Sequence, residues 1–147
     1  MAGELDNLLT QFAERNSLAK PQADASGRYF LLLDGDLEVA VLQGGDCIYL
    51  EGRLEPLPAD ARKAEALLSH RLRLHLARLR DKHEVLSLEA DSEDFVLFRQ
   101  LSVRYLSIND FEQALEDFAN SLEFWISRGS ESAPLQAPPP TMQMLFP

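Results

Sequence analysis

The chain has 147 residues, of which 46% are hydrophobic and 26% charged, and its formal net charge is −10. This length suits one domain, the composition is globular rather than disordered, and the acidity argues against general affinity for nucleic acid or anionic membranes. The single cysteine excludes an intrachain disulfide and any zinc site built from several cysteines. Because the start lacks the regions of a signal peptide and no stretch approaches the ~18 apolar residues of a membrane span, we expect a cytoplasmic protein.

The first predicted element is an amphipathic helix over residues 4–16. Its apolar residues recur at positions i, i+3, i+4 and i+7, and acids occupy its first turn. These apolar residues are Leu5, Leu8, Leu9 and Phe12. A connector that contains Pro21 follows.

Three strands are predicted next, and the turns between them favour an antiparallel meander. Tyr29–Leu33 is a continuous aromatic and apolar run, and Leu37–Val41 alternates so that Leu37, Val39 and Val41 share a face. The third strand covers Cys47–Arg53. Asp34-Gly35 and Gly44-Gly45 stand between the strands and are typical turn sequences.

A second helix is predicted from Ala61 to Leu79, with Asp60 as its N-cap. Leucines and alanines step along one side of this helix by three or four residues. The alternation of Leu72–Leu76 would also suit a strand, but the length of the pattern favours a helix. The leucines of this side and its margins include Leu67, Leu68, Leu72, Leu74, Leu76 and Leu79.

Two further strands and a final helix complete the predicted domain. The strands cover His83–Glu89 and Phe95–Val103. Asn109 is the expected cap of the last helix, with Glu112 completing a capping box, and Gly129 is expected to end it. We therefore predict a single α+β domain over residues 1–129, with element order α-β-β-β-α-β-β-α and an antiparallel sheet. Residues 130–147, which hold five of the eight prolines, are predicted to form a flexible tail.

This pattern resembles the Tir-chaperone family of class I type III secretion chaperones over about residues 4–128. The likeness is carried by Ile48–Gly52, Leu57-Pro58, Ala66–Leu68 and the final-helix segment from Phe111 to Trp125. Family members often have a small residue and then Asn after the paired leucines, where this chain has Ser69-His70. No catalytic motif defines the family.

The resemblance implies a bacterial protein that binds other proteins and catalyses nothing, with no cofactor and no metal. It implies a homodimer paired largely through the second helix, for which we expect the interface residues Leu67, Leu68, Leu72, Leu76 and Leu79. It also implies binding of an extended segment near the N-terminus of a secreted effector, without ATP. The expected effector-binding residues are Leu5, Leu8, Leu9, Phe12, Tyr29, Leu31, Leu33, Leu37, Val39 and Val41, the strand residues being assigned to the outer faces of their strands. The same residues could instead be core.

Two other functions stay open. A regulatory protein of the same fold would bind an anti-activator, and nothing in the sequence separates it from an effector chaperone. A nucleic-acid-binding protein would use the basic helix 61–82 to contact phosphates, although the acidic remainder opposes this. The basic residues of that segment are Arg62, Lys63, Arg71, Arg73, Arg78, Arg80 and Lys82.

Other motifs favour structural roles. Asp34–Glu38 lacks the glycine position and flanking helices of an EF-hand, so a turn is expected. His70 and His75 are five residues apart, which does not suit a helical zinc pair. Cys47 follows Asp46 and is expected to be a packing residue. In the tail, the apolar segment Met142–Phe146 is either a loose end or a docking peptide.

Overall fold

The computed structural model describes residues 3–33 and 36–131, and it shows three helices and one five-stranded sheet. The predicted α+β class and the predicted element order are confirmed. The elements are α1 (Glu4–Arg15), β1 (Tyr29–Leu33), β2 (Leu37–Gly44), β3 (Cys47–Pro56), α2 (Ala61–Arg78), β4 (Val85–Leu88), β5 (Asp94–Ser102) and α3 (Ile108–Glu131).

The sheet is antiparallel throughout, with strand order β1-β2-β3-β5-β4. The predicted meander covers β1 to β3, after which β5 pairs with β3 and β4 takes the far edge. Gly45, with φ +62°, forms the turn between β2 and β3 as predicted, since glycine adopts this left-handed conformation without a steric penalty. The predicted Asp34-Gly35 turn lies outside the described residues. This order makes β1 and β4 the two edges of the sheet.

The core lies between one face of the sheet and the helices. Val39, Val41 and Leu50 are fully buried on the inner face of the strands, and Phe118 and Trp125 of α3 are buried with them. This close packing explains Gly52 on β3. A Cβ at Gly52 would come within 2.6 Å of a methyl carbon of the buried Leu122, so a larger residue would force the core apart.

The second helix begins as predicted. The side chain of Asp60 accepts a hydrogen bond of 3.0 Å from the backbone N–H of Lys63, which satisfies one of the free donors in the first turn. The segment Leu72–Leu76, whose alternation would also suit a strand, lies inside this helix.

The predicted ends of the third helix are wrong. Its cap is Ser107, whose hydroxyl accepts from the Asp110 N–H at 3.0 Å while the Asp110 carboxylate accepts from the Ser107 N–H at 3.3 Å. This reciprocal pair replaces the expected pair of Asn109 and Glu112, because Ile108 is already helical. Gly129 does not end the helix, which continues to Glu131. Residues 132–147, including the predicted docking segment Met142–Phe146, lie outside the described chain.

Candidate functional site

The edge strand β1 offers backbone groups for pairing with another strand. On one side, the backbone of β1 is hydrogen-bonded to the neighbouring strand β2. Within the part of the chain that the structure describes, the other side carries one isolated bridge, between Tyr29 and Ala23 of the connector. The remainder of the edge, towards Leu33, therefore presents donors and acceptors to which an extended peptide could add.

A groove lined by both apolar and polar side chains lies beside this open edge. A cavity of about 600 Å³ separates the end of β1 from α1 and α3, and we call it the β1 groove. Leu18 and Leu32 are largely exposed at its margin, with 52% and 64% of their surface accessible. Its lining is Phe12, Asn16, Leu18, Leu32, Leu33, Glu112, Leu115, Glu116, Ala119 and Asn120. Apolar and polar side chains beside free strand-pairing groups suit an extended polypeptide that carries both kinds of side chain.

Ion pairs and hydrogen bonds hold the connector that precedes β1 against α1. Lys20 Nζ lies 3.1 Å from an Asp6 carboxylate oxygen, and the Tyr29 hydroxyl donates to Asp6 at 3.2 Å. Burial raises the pKa of the Tyr29 hydroxyl, and the Asp6 carboxylate raises it further. These contacts fix the start of β1 and leave its end beside the groove.

The structure buries most of the residues predicted to bind an effector. Eight of them lie in the core with 8% exposure or less, whereas Tyr29 and Leu33 are half-buried. The eight are Leu5, Leu8, Leu9, Phe12, Leu31, Leu37, Val39 and Val41. The assignment of the strand residues to outer faces is therefore corrected. Leu31 faces inward with its cross-strand partner Val39, and the outward positions of β1 are Phe30 and Leu32.

The groove lining includes Phe12 and Leu33 of the predicted effector-binding set, but sequence reasoning missed Leu18 and Leu32. Phe30 and Leu32 belong to an unbroken apolar run, in which alternation cannot assign a face. Leu18 lies in a connector without periodicity. The available signal was the excess of apolar residues in Phe30–Leu33, since a strand with one buried face needs only every second residue to be apolar.

The second helix leaves three of its five predicted interface leucines exposed in the single chain. Leu72, Leu76 and Leu79 are 49%, 68% and 47% exposed and follow one another along one side, and we call them the α2 stripe. Leu67 and Leu68 are partly buried and pack against the core. Three neighbouring exposed leucines on a helix are typical of a surface that another molecule covers.

Two arginines anchor α2 to the rest of the chain, together with the partly buried Leu67, Leu68 and Leu74. Arg71 is fully buried, donates through Nε to Glu55 at 2.8 Å and donates to the carbonyl of Trp125 at 3.2 Å. Arg78 pairs with Glu84 at 3.1 Å and lies 3.9 Å from the centre of the Phe124 ring. Two of the seven bases in the predicted basic segment thus face inward and are paired, which weakens the nucleic-acid hypothesis.

Cys47 and His75 each contact a neighbouring side chain. The Cys47 sulfur accepts a hydrogen bond from Gln100 at 2.9 Å, and the His75 ring packs 6.5 Å from Trp125. No group of three His, Cys, Asp or Glu residues within residues 3–33 and 36–131 could hold a metal ion. Among the same residues, no helix has both the length and the apolarity to cross a bilayer.

Comparison with known protein families decides what kind of chain this is. The model of the Tir chaperone protein (CesT) family matches residues 7–126, which include most of α1, all five strands, α2 and most of α3. The chain belongs to the Tir chaperone protein (CesT) family. The resemblance drawn from the sequence is thereby confirmed. No curated protein matches this family member in sequence.

Solved structures share the fold of this family member at low sequence identity. The chaperone–effector complex HopA1–SchA matches with a TM-score of 0.66 and 17% identity, over 84% of this chain and 94% of that chain. The Yersinia pestis type III secretion chaperone SycH, solved with a fragment of YscM2, matches with 0.57 and 16%, over 82% and 98%. YbjN from E. coli, described as a candidate transcription regulator, matches with 0.62 and 12%, over 88% and 93%. The fold is thus that of type III secretion chaperones, and it also occurs outside them.

Proposed function

We propose that this chain is a type III secretion chaperone of the bacterial cytoplasm. It binds an extended segment near the N-terminus of a secreted effector and keeps that segment soluble and export-competent without ATP. The observation that carries the proposal is the open edge of β1 beside the β1 groove, in a member of a chaperone family.

The binding mechanism follows from strand pairing and apolar burial. An effector segment adds to the free backbone of β1, and alternate side chains of that segment pack against Leu18, Leu32 and Leu33. A segment held as an added strand cannot complete its own fold, so it stays unfolded while it is bound. No covalent step and no ATP are needed, because the binding free energy alone holds the complex together.

The strong negative charge suits a chaperone that exposes apolar surface before its partner binds. The formal net charge of −10 opposes non-specific aggregation through exposed apolar surface, which is a different process from the specific pairing of two copies. The acidic surface also disfavours binding to anionic membranes and nucleic acid. The proposed partners are therefore proteins: a second copy of the chain and the effector.

The α2 stripe is the proposed dimer interface. In two copies related by a two-fold axis, Leu72, Leu76 and Leu79 of one copy would face the same leucines of the other. Full burial of a completely exposed leucine contributes about 1.5–3 kcal/mol, and each copy supplies three leucines with roughly half of their surface still to bury. The β1 groove contains no residue of the stripe, so both surfaces can be occupied at once.

A regulatory protein of the same fold, which binds an anti-activator, is the second candidate. The likeness to YbjN favours it, because the same fold occurs in a protein described as a candidate transcription regulator. The identity of the captured partner separates the two candidates. A secreted protein supports the effector chaperone, and a regulatory protein supports the alternative.

Capture of a partner in its native host tests the proposal. Tagged wild-type protein, purified without ATP, is expected to retain a secreted protein through the N-terminal region of that protein. Leu32→Glu should lower the captured amount at least tenfold, because it places a charge at the apolar margin of the groove. Tyr105→Glu is the matched control, since Tyr105 is 92% exposed in a turn outside the groove. Equal capture by the wild type and Leu32→Glu would contradict the proposed site.

A further inference from the structure

Arg99 occupies a position on β5 where the sheet otherwise buries apolar side chains. Residues of a strand that are two apart lie on the same face, so Arg99 shares the inner face with Phe95, Leu97 and Leu101, all of which are buried. An arginine in such a row keeps its charge, and its guanidinium therefore needs an anionic or polar partner nearby.

The described part of the chain supplies no such partner to Arg99. The Nε atom of Arg99 is buried and has no hydrogen-bond partner among these residues. Five other arginines each face a carboxylate at ion-pair distance, namely Arg15, Arg28, Arg53, Arg71 and Arg78. Arg99 is thus a partly buried cation that pairs with no carboxylate of the described chain.

Arg99 opens onto a cavity of about 410 Å³ between α3 and the segment that follows α2. Lys82 adds a second positive charge, and Asn120 and Ser121 add polar groups to the wall. Arg78 and Glu84 also line the cavity, but they neutralise one another as an ion pair. The room and the donors suit a small anionic group.

The acids of the same wall indicate which anion fits. Asp81 and Asp117 also line the cavity, and they would repel a doubly charged phosphate more strongly than a singly charged carboxylate. A planar carboxylate also matches the fork of donors that a guanidinium presents. The arrangement therefore favours the side chain of an aspartate or glutamate.

We propose that this cavity binds an acidic side chain of the polypeptide held in the β1 groove. The link between the two sites is Asn120 on the outer crest of α3, which lines both cavities. A polypeptide that leaves the groove across α3 passes Asn120 and brings its next side chains to Arg99. The inference rests on the proposed function and adds a charge-specific subsite to it.

Partner affinity gives the first test. Arg99→Leu should weaken binding of the captured partner about tenfold or more, since a hydrogen-bonded charge is lost from the complex. The free protein should keep its urea midpoint or gain stability, because leucine suits the apolar row. Arg104→Leu is the matched control, as Arg104 is exposed in the turn after β5. An unchanged affinity in Arg99→Leu would overturn the proposal.

Direct observation of the Arg99 side chain gives the second test, in the full-length protein without a partner. The Arg99 Nε–H NMR signal should shift saturably with sodium acetate, and more than with sodium chloride or phosphate at equal ionic strength. A response no larger than that to chloride would overturn the carboxylate site. If the wild type captures no partner, the proposed function is overturned, and so is the proposal that a bound polypeptide supplies the carboxylate. If the wild type captures a partner and Arg99→Leu binds it equally well, only the subsite is overturned.

Discussion

Helices α1 and α2 both carry leucines at helical spacing, yet they use them differently. In α1, Leu8 and Leu9 are 6% and 0% exposed because the sheet and α3 cover them. In α2, Leu72 and Leu76 are 49% and 68% exposed. The same sequence pattern thus occurs in a helix whose apolar side is buried within its own chain and in a helix whose apolar side is left exposed.

The means of attachment explain the difference. Buried leucines pack α1 onto the core, whereas α2 is held by the buried Arg71, by Arg78 and by the partly buried Leu67, Leu68 and Leu74. Ion pairs with Glu55 and Glu84 fix the helix in place and leave its leucine side free for a second molecule. A leucine stripe in a sequence therefore does not reveal whether its partner is in the same chain.

The largest expected effect is on self-association. Leu72→Glu buries an unpaired charge in each copy of the proposed interface, which should cost about 3 kcal/mol or more of dimerisation free energy. Sedimentation should then give the 16.5 kDa mass of one chain, with unchanged helix content by circular dichroism. Ala66→Glu, on another exposed side of α2, is the control and should stay dimeric. A dimeric Leu72→Glu variant would break the comparison between the two helices.

The next effect is on the fold of the single chain. Leu9→Ala removes a fully buried side chain of α1 and should lower the free energy of unfolding by about 2–5 kcal/mol. Leu76→Ala should change it by no more than about 0.5 kcal/mol. Both are measured by urea unfolding in the Leu72→Glu background, so that dissociation does not contribute. Equal losses in the two variants would show that the helices are packed alike.

A smaller loss is expected from the arginine anchor of α2. Arg71→Met keeps much of the apolar volume but removes the hydrogen bonds to Glu55 and Trp125, so unfolding should become easier by about 1–3 kcal/mol. Hydrogen exchange should rise first in α2, and the amides of α1 should keep their protection. Exchange that increases equally in both helices would argue against a separate anchor.

The smallest effect is a pH dependence at the start of β1. Because the folded chain raises the pKa of Tyr29, its folded state holds that proton more tightly than its unfolded state. Stability from this group is therefore complete below the ordinary tyrosine pKa and is lost as the pH rises through the raised value. Tyr29→Phe should flatten the alkaline decline of the urea midpoint. An identical decline in both proteins would assign it to other groups.

The sequence predicts the element order well, because long periodic segments such as α1 and α2 and the turn at Gly44-Gly45 each carry their own signal. It predicts the helix ends less well. Ser107 and Asn109 are both good capping residues only two positions apart, so spacing alone cannot choose between them. Gly129 similarly remains helical although glycine commonly ends helices.

The site is harder to predict than the fold. In the run Tyr29–Leu33 every residue is apolar, so the pattern cannot show that Leu31 faces the core while Phe30 and Leu32 face outward. Arg99 did carry a signal, since the alternation Phe95, Leu97, Arg99, Leu101 places one charge in an apolar row. Its meaning depends on which carboxylates fold nearby, and that is a property of the tertiary structure.

Native mass spectrometry of the complex isolated from the host tests the central claim most directly. If the α2 stripe pairs two copies and the β1 groove binds the effector, the measured mass should equal that of two copies of the 16.5 kDa chain together with a bound secreted protein. A complex with one copy of the chain, or a partner that displaces the second copy, would contradict it.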